Sequence, residues 1–260
     1  KGEKVEQELI LRYSHNIVEH LGLKLYQNQP TRVIAELISN SWDADSGSNQ
    51  INMQMEGGPS ERWVAVLDDG HGMTRQDLVR SYLVIGYPKR SKPQQRSVGG
   101  RPLMGRKGIG KLAAFGIARF VDVVTVAEET FEKGGEKVKR AYWMRFDRNA
   151  LLAKGDEDHA YRPHVIVDGV ELDEIPLDSE DPTGQISVWA DMVANGSGTG
   201  TAIIMTDLSI IRAISQDQLK RSVGTRFTIA ASGKMRIAVN GIDVTDDLPS
   251  KSERSERRRQ

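Results

Sequence analysis

Glu36, Asn40 and Asp43 stand in the run ELISNSWDA. On a helix, residues four apart share a face about 6 Å apart along the axis, so the three line one edge while Leu37 and Ile38 turn to the core. A carboxylate beside a carboxamide suits a water-activating base next to an oxygen ligand for a hard cation such as magnesium. A second group, Asp68-Asp69-Gly70-His71-Gly72-Met73-Thr74, follows a hydrophobic run directly. Its glycines allow a close backbone approach to a ligand, and a carboxylate at a strand end can accept from an exocyclic amine. The third, Gly105-Arg106-Lys107-Gly108-Ile109-Gly110-Lys111, opens a helical pattern. Glycines ahead of a helix offer backbone amides to an anion, and the helix dipole adds to the attraction.

Each group also has a plainer reading: a solvated helix edge, an ordinary Asp-Gly turn, a flexible basic linker. The third is not a Walker loop, because Leu112 stands where a hydroxyl is required. Nor is it a dinucleotide fingerprint, since a polar loop precedes it rather than a strand.

The elements that must position these groups follow from periodicity. Residues 17–25 form an amphipathic segment, and Pro30 starts a helix with Val33, Ile34, Leu37, Ile38 and Ser41 on its inner face. Strands are expected at Arg62–Leu67, Val121–Val126, Ala141–Phe146, Ile186–Trp189 and Thr201–Met205, with a hairpin at Met235–Val239 and Asn240-Gly241. Leu112–Ile117 reads as a helix and residues 86–110 as a long loop. Irregularly alternating helices and strands predict helices layered on one face of a mixed sheet.

The 260 residues allow one large domain, or one plus a fragment. The chain has no cysteine, which excludes disulfide scaffolds, thiolate metal sites and thiol nucleophiles, and suits a cytoplasmic location. No apolar run reaches the roughly 18 residues of a membrane span, and no signal peptide is evident. A start at Lys1 suggests a piece of a longer protein. Acidic and basic residues balance at 36 each, but unevenly along the chain. Between Asp77 and Asp122 there are ten basic residues and no acidic one. That excess suits bound phosphates and, equally, nucleic acid, although aromatics for base stacking are sparse there. Residues 149–185 carry ten acids and read as an excursion from the core.

ELISNSWDA, DDGHGMT and GRKGIGK, in this order and spacing, resemble the three ATP-binding boxes of the GHKL superfamily: gyrase B, the ninety-kilodalton heat-shock chaperone, the histidine kinases and MutL. Gly200-Thr201-Ala202-Ile203-Ile204 is similar to the superfamily's late glycine–threonine strand. The resemblance covers about residues 12–210, and its wording is most similar to bacterial MORC-like and chaperone-like ATPases. It implies an α+β fold, the two-layer α/β sandwich called the Bergerat fold, with helices on one face of a mixed, mostly antiparallel sheet. Residues 1–210 would form the ATP-binding domain, with a lid over about 74–107, and residues 211–260 a connector or the start of a further domain.

Carried over, the resemblance makes Asp69 the acceptor of the adenine amine, with Gly72 and Met73 lining the base and Thr201 supporting it. Asn40 would hold Mg2+ bridging the phosphates of ATP, and Asp43 would organise polar contacts near the base. Gly108, Ile109, Gly110 and Lys111 would meet the phosphates through backbone amides, with Lys107 a further phosphate contact beside the candidates Lys89, Arg90 and Arg106. Glu36 would orient and deprotonate water. Histidine kinases typically carry asparagine at that position, so the resemblance implies hydrolysis rather than phosphotransfer. His15, the one residue that invites the kinase reading, is more simply structural. Gyrase B and MutL continue into a second domain whose lysine completes the γ-phosphate contacts. Only 52 residues follow Leu208 here, and Lys220, Lys234 and Lys251 do not fit that role. The implied activity is therefore a slow ATPase acting as a conformational switch, with ATP-dependent homodimerisation and a DNA or protein client reached through other regions. An ATP-sensing module without significant turnover is one alternative, and a histidine-kinase-type phosphotransfer domain another.

Overall fold

The computed structural model describes residues 11–12, 24–84, 96–105, 110–130, 135–153, 160–210, 212–231 and 234–244. Ten strands lie among them: β1 (Leu11–Arg12), β2 (Ser48–Gln54), β3 (Trp63–Asp68), β4 (Ala118–Thr130), β5 (Lys137–Asp147), β6 (Ala160–Tyr161), β7 (His164–Val170), β8 (Gly200–Leu208), β9 (Arg236–Val239) and β10 (Ile242–Asp243). Eight form one sheet in the order β10-β9-β2-β3-β8-β4-β5-β7, while β1 pairs with β6 apart from it. Every neighbouring pair in the large sheet is antiparallel except β2 with β9. This is the α+β architecture with a mixed, mostly antiparallel sheet that the sequence predicts.

Three helices of ten residues or more are described: α1 (Pro30–Asp43), α2 (Gln185–Ala194) and α3 (Gln216–Ala231). Proline at the first turn of α1 costs nothing, because its missing N–H would have no helical partner there. Val33, Ile34, Leu37, Ile38, Ser41 and Trp42 then bury one stripe. That stripe packs with Leu112 and Phe115 of a 3-10 helix at Gly110–Gly116, and with Leu219, Val223 and Phe227 of α3, over one face of the sheet. Alternation along β3 divides the labour: Val64 and Val66 meet this layer, while Ala65 and Leu67 point the other way.

The second face is also covered, and here the expectations change. Ile186–Trp189 is not a strand but part of α2, whose buried Ile186, Trp189, Ala190 and Val193 recur at helical spacing. A four-residue window was too short to separate the two periods. Asp181 starts the helix by accepting from the amides of Ile186 and Ser187 at 2.8 and 3.2 Å. The acidic stretch is likewise built into the fold from His164 onward, because β7 closes one edge of the sheet and Ile175 joins the second core. Arg145 fastens it: Nε donates to the buried Asp122 carboxylate at 2.8 Å and Nη2 to the Glu180 carbonyl at 2.7 Å. Burial pushes the Asp122 carboxyl up, and Arg145 opposes that shift.

Of the first expected amphipathic segment, only Lys24 and Leu25 are described, within a short helix at Lys24–Tyr26. His15 and the charged tail lie outside the described residues. No helix among the described residues is long and apolar enough to cross a membrane.

Candidate functional site

The exposed edge of α1 forms one wall of a site. Glu36 and Asn40 are half-buried and have no side-chain hydrogen-bond partner among the described residues. Gly110, at the start of the 3-10 helix, sits directly against them. A Cβ built there would lie 3.2 Å from Glu36 Oε2 and 3.9 Å from Asn40 Nδ2, so the absence of a side chain keeps this approach open. The structure therefore brings Glu36, Asn40 and Gly110 together.

Asp43 has a different job from the one expected. Its two carboxylate oxygens accept from the backbone amides of Met104 and Gly105 at 2.7 and 2.9 Å, so it anchors the end of the glycine-rich loop instead of arranging polar contacts near a base. Residues 96–105 are clamped further onto the C-terminal end of α1. Asp45 accepts from Ser97 Oγ at 2.5 Å and from the Gly99 amide at 2.6 Å. Trp42 Nε1 donates to the Pro102 carbonyl at 2.9 Å. The Arg101 guanidinium stacks 4.6 Å over the Trp42 ring and donates to the carbonyls of Ser46 and Lys234. Lys107, Gly108 and Ile109, like Lys89, Arg90 and Arg106, lie outside the described residues, as does the Lys111 side chain.

The floor of the site is the end of β3, and there Asp68 rather than Asp69 is the group in place. Asp69 Oδ1 is taken up by Ser46 Oγ and by the amides of Gly47 and Ser48, all at 2.7–2.8 Å, which ties down the turn between α1 and β2. Asp68 is 6% exposed. Its Oδ1 accepts from the amides of Gly70 and Thr201 at 3.0 and 3.2 Å, and its Oδ2 from Ser41 Oγ at 2.7 Å. Burial pushes its pKa up to about 6, against the three hydrogen bonds and with some help from the Asp69 charge. Adjacent aspartates look alike in sequence. Only their places differ: Asp68 ends the strand, whereas Asp69 enters the turn.

Around Asp68 the backbone is packed as tightly as glycine permits. Gly72 has φ of +69°, and a Cβ there would fall 2.0 Å from the Val126 carbonyl oxygen. Thr125 Oγ1 accepts from the Met73 amide at 2.9 Å, donates to the Gly200 carbonyl at 3.0 Å and lies 3.1 Å from Thr201 Oγ1. With the Thr125 proton committed to Gly200, Thr201 supplies the proton between the two hydroxyls. Met73 and Thr201 are thus joined through Thr125, which the sequence did not single out. From the second face, Trp189 Nε1 donates to the Asp68 carbonyl at 3.1 Å, and Thr199 Oγ1 donates to that of Gly70 at 2.8 Å.

The site pairs a buried acceptor at one end with an unpartnered carboxylate and carboxamide at the other. Asn40 offers one hard oxygen, which suits a cation such as Mg2+ that keeps several waters and takes its remaining ligands from phosphates. Among the described residues, no three His, Cys, Asp or Glu side chains converge to hold a metal by themselves.

Residues 28–150 match the family described as Histidine kinase-, DNA gyrase B-, and HSP90-like ATPase. A provisionally named type II restriction enzyme, HgiDII of Herpetosiphon aurantiacus, is 38% identical over 113 residues, 44% of this chain and 17% of that protein. The DNA mismatch repair protein MutL of Myxococcus xanthus (strain DK1622) is 34% identical over 70 residues, 27% of this chain and 11% of that protein. The chain thus spans under a fifth of the length of either relative.

Proposed function

With residues 28–150 carrying a segment of the GHKL-type ATPase family, we propose that this chain binds and hydrolyses Mg-ATP and uses the cycle as a conformational switch. The observation that carries the proposal is the pairing of Asp68, buried and held from three sides, with the unpartnered Glu36 and Asn40 beside Gly110. Asp68 accepts from the amino group of the base, with Thr201, Gly72 and Met73 around it. Asn40 would hold magnesium, which when bound would screen the phosphate charge. Glu36 accepts the proton of the attacking water, and the backbone amides of Gly108, Ile109, Gly110 and Lys111, aided by Lys107, stabilise negative charge on the phosphates.

Residues 96–105 are the fixed end of a lid, held by Asp43, Asp45 and Trp42. Closing it over nucleotide would couple the site to dimerisation. The names of the two relatives, a restriction enzyme and a mismatch repair protein, support DNA as a client.

Calorimetric titration of ATP with and without magnesium, alongside phosphate release from wild type and Glu36→Ala, tests the proposal. Magnesium-dependent binding, with release lost in the variant alone, is expected. Binding without release in either protein would mean an ATP sensor, and no binding would refute the proposal.

A further inference from the structure

Asn49 of β2 lies directly opposite Asp68 in the β2–β3 register and is fully buried. Its Nδ2 donates to Ser41 Oγ at 2.8 Å, and Ser41 Oγ donates to Asp68 Oδ2 at 2.7 Å. Asn49 Oδ1, in contrast, has no partner among the described residues. Leaving a buried oxygen unpaired is costly, so an apolar side chain would serve the core better at this place. What the amide supplies is its donor.

Ser41 has one proton and two acceptors within reach, the Leu37 carbonyl at 3.2 Å and Asp68 Oδ2 at 2.7 Å. A donor feeding the Ser41 oxygen polarises its O–H and strengthens the bond to the carboxylate. Asp68 can accept at about four lone-pair positions across its two oxygens. Gly70, Thr201 and Ser41 occupy three, leaving one on Oδ2.

The geometry points to Asn49 as a positioning residue for nucleotide capture: acting through Ser41, it holds Asp68 as an ionised, acceptor-only carboxylate with one Oδ2 position left for an exocyclic amine. The inference rests on the base-reading role proposed above for Asp68. Uncharged groups face that carboxylate or its backbone from α1 (Ser41), β2 (Asn49), β8 (Thr201) and α2 (Trp189). Asp69 is the one charge acting on it among the described residues.

The test uses the whole chain with 13C-carboxyl-labelled aspartate, the Asp68 signal being assigned with Asp68→Asn. Its titration is read without nucleotide, and ATP affinity is measured from pH 5.5 to 8.5, in wild type, Asn49→Ala, Ser41→Ala and Ser41→Thr. The wild-type midpoint is expected near 6. Loss of its hydrogen bond to the charged carboxylate should raise it by about one pH unit in Ser41→Ala, and loss of the donor that polarises Ser41 should raise it by a smaller step in the same direction in Asn49→Ala. Ser41→Thr, which keeps the hydroxyl, should restore it. ATP affinity of Ser41→Ala should then fall about fivefold below wild type at pH 6, that of Asn49→Ala by a smaller factor, and both should rejoin wild type by pH 8.5.

An unmoved midpoint in Asn49→Ala overturns the inference, and Asn49→Leu, close in size but without the donor, decides if Asn49→Ala does not fold. A loss of affinity uniform in pH also overturns it, since a cavity would act that way. If wild type binds no ATP at any pH, the reading of the site fails, while the nucleotide-free titration still decides whether Asn49 governs Asp68.

Discussion

Replacing Asp68 with asparagine should stabilise the free protein at neutral pH while abolishing nucleotide binding. The carboxyl's pKa rises from 3.8 to about 6 on folding because the ionised form is buried. An acid whose folded pKa lies above its unfolded value binds more protons when folded, so its contribution favours folding at low pH and is lost as pH rises toward the folded pKa. Integrated between those two pKa values, about 1.4 kcal/mol should disappear between pH 5 and pH 8, and about 3 kcal/mol over the whole range. Asparagine titrates nowhere in this range. Its carbonyl can still accept from Gly70 and Thr201, and its amide can donate to Ser41 Oγ, freeing the Ser41 proton for the Leu37 carbonyl at 3.2 Å. Urea unfolding of both proteins without nucleotide, at pH 5 and pH 8, measures the difference. The gap between variant and wild type should widen in the variant's favour by about 1.4 kcal/mol at the higher pH. A gap that stays constant, or moves the other way, would refute the view that burial of an ionised carboxylate dominates at Asp68.

Glu36→Gln should retain ATP affinity and lower phosphate release at least about 100-fold, the usual range for loss of a positioned base, as read by a coupled phosphate assay. Gly72→Ala should destabilise by about 2 kcal/mol or more, because it adds left-handed strain to a Cβ that would lie 2.0 Å from the Val126 carbonyl; thermal unfolding checks this. Asp45→Ala should release the bonds from Ser97 and Gly99 and raise hydrogen exchange across residues 96–105, leaving β3 and β8 protected.

The helix at 30–43 and strands β3, β4, β5 and β8 were legible because their apolar periods run long enough to be unambiguous, and the glycine-rich boxes because spacing alone marks them. What escaped depends on which atom meets which. Asp68 and Asp69 differ by one step of the chain, yet one faces three donors at the pocket floor while the other fastens a turn. Asp43 sits on the expected helix edge, but its acceptors are claimed by Met104 and Gly105, sixty residues away, and no local pattern records that. The second face is obscure for two reasons: Ile186–Trp189 is too short a run to tell a helix from a strand, and the acids of residues 149–185 suggest solvent although Val167 and Ile175 are buried among them.

The two ends of the site are held by different means, and that difference bears on what nucleotide can change. The Asp68 end is a network of short bonds among β2, β3, β8, α1 and α2, with glycines fitted against backbone where no side chain could enter. Interiors so packed do not deform gradually, so this end should receive a base with little rearrangement. The Glu36 end offers two half-buried polar groups that nothing described in the protein satisfies. Polar groups left in that condition favour any state that supplies partners. On the proposed function, a ligand that pairs with them in one conformation only would bias the protein toward that conformation. Residues 96–105, tied to the very helix that carries Glu36 and Asn40, would be the element to respond.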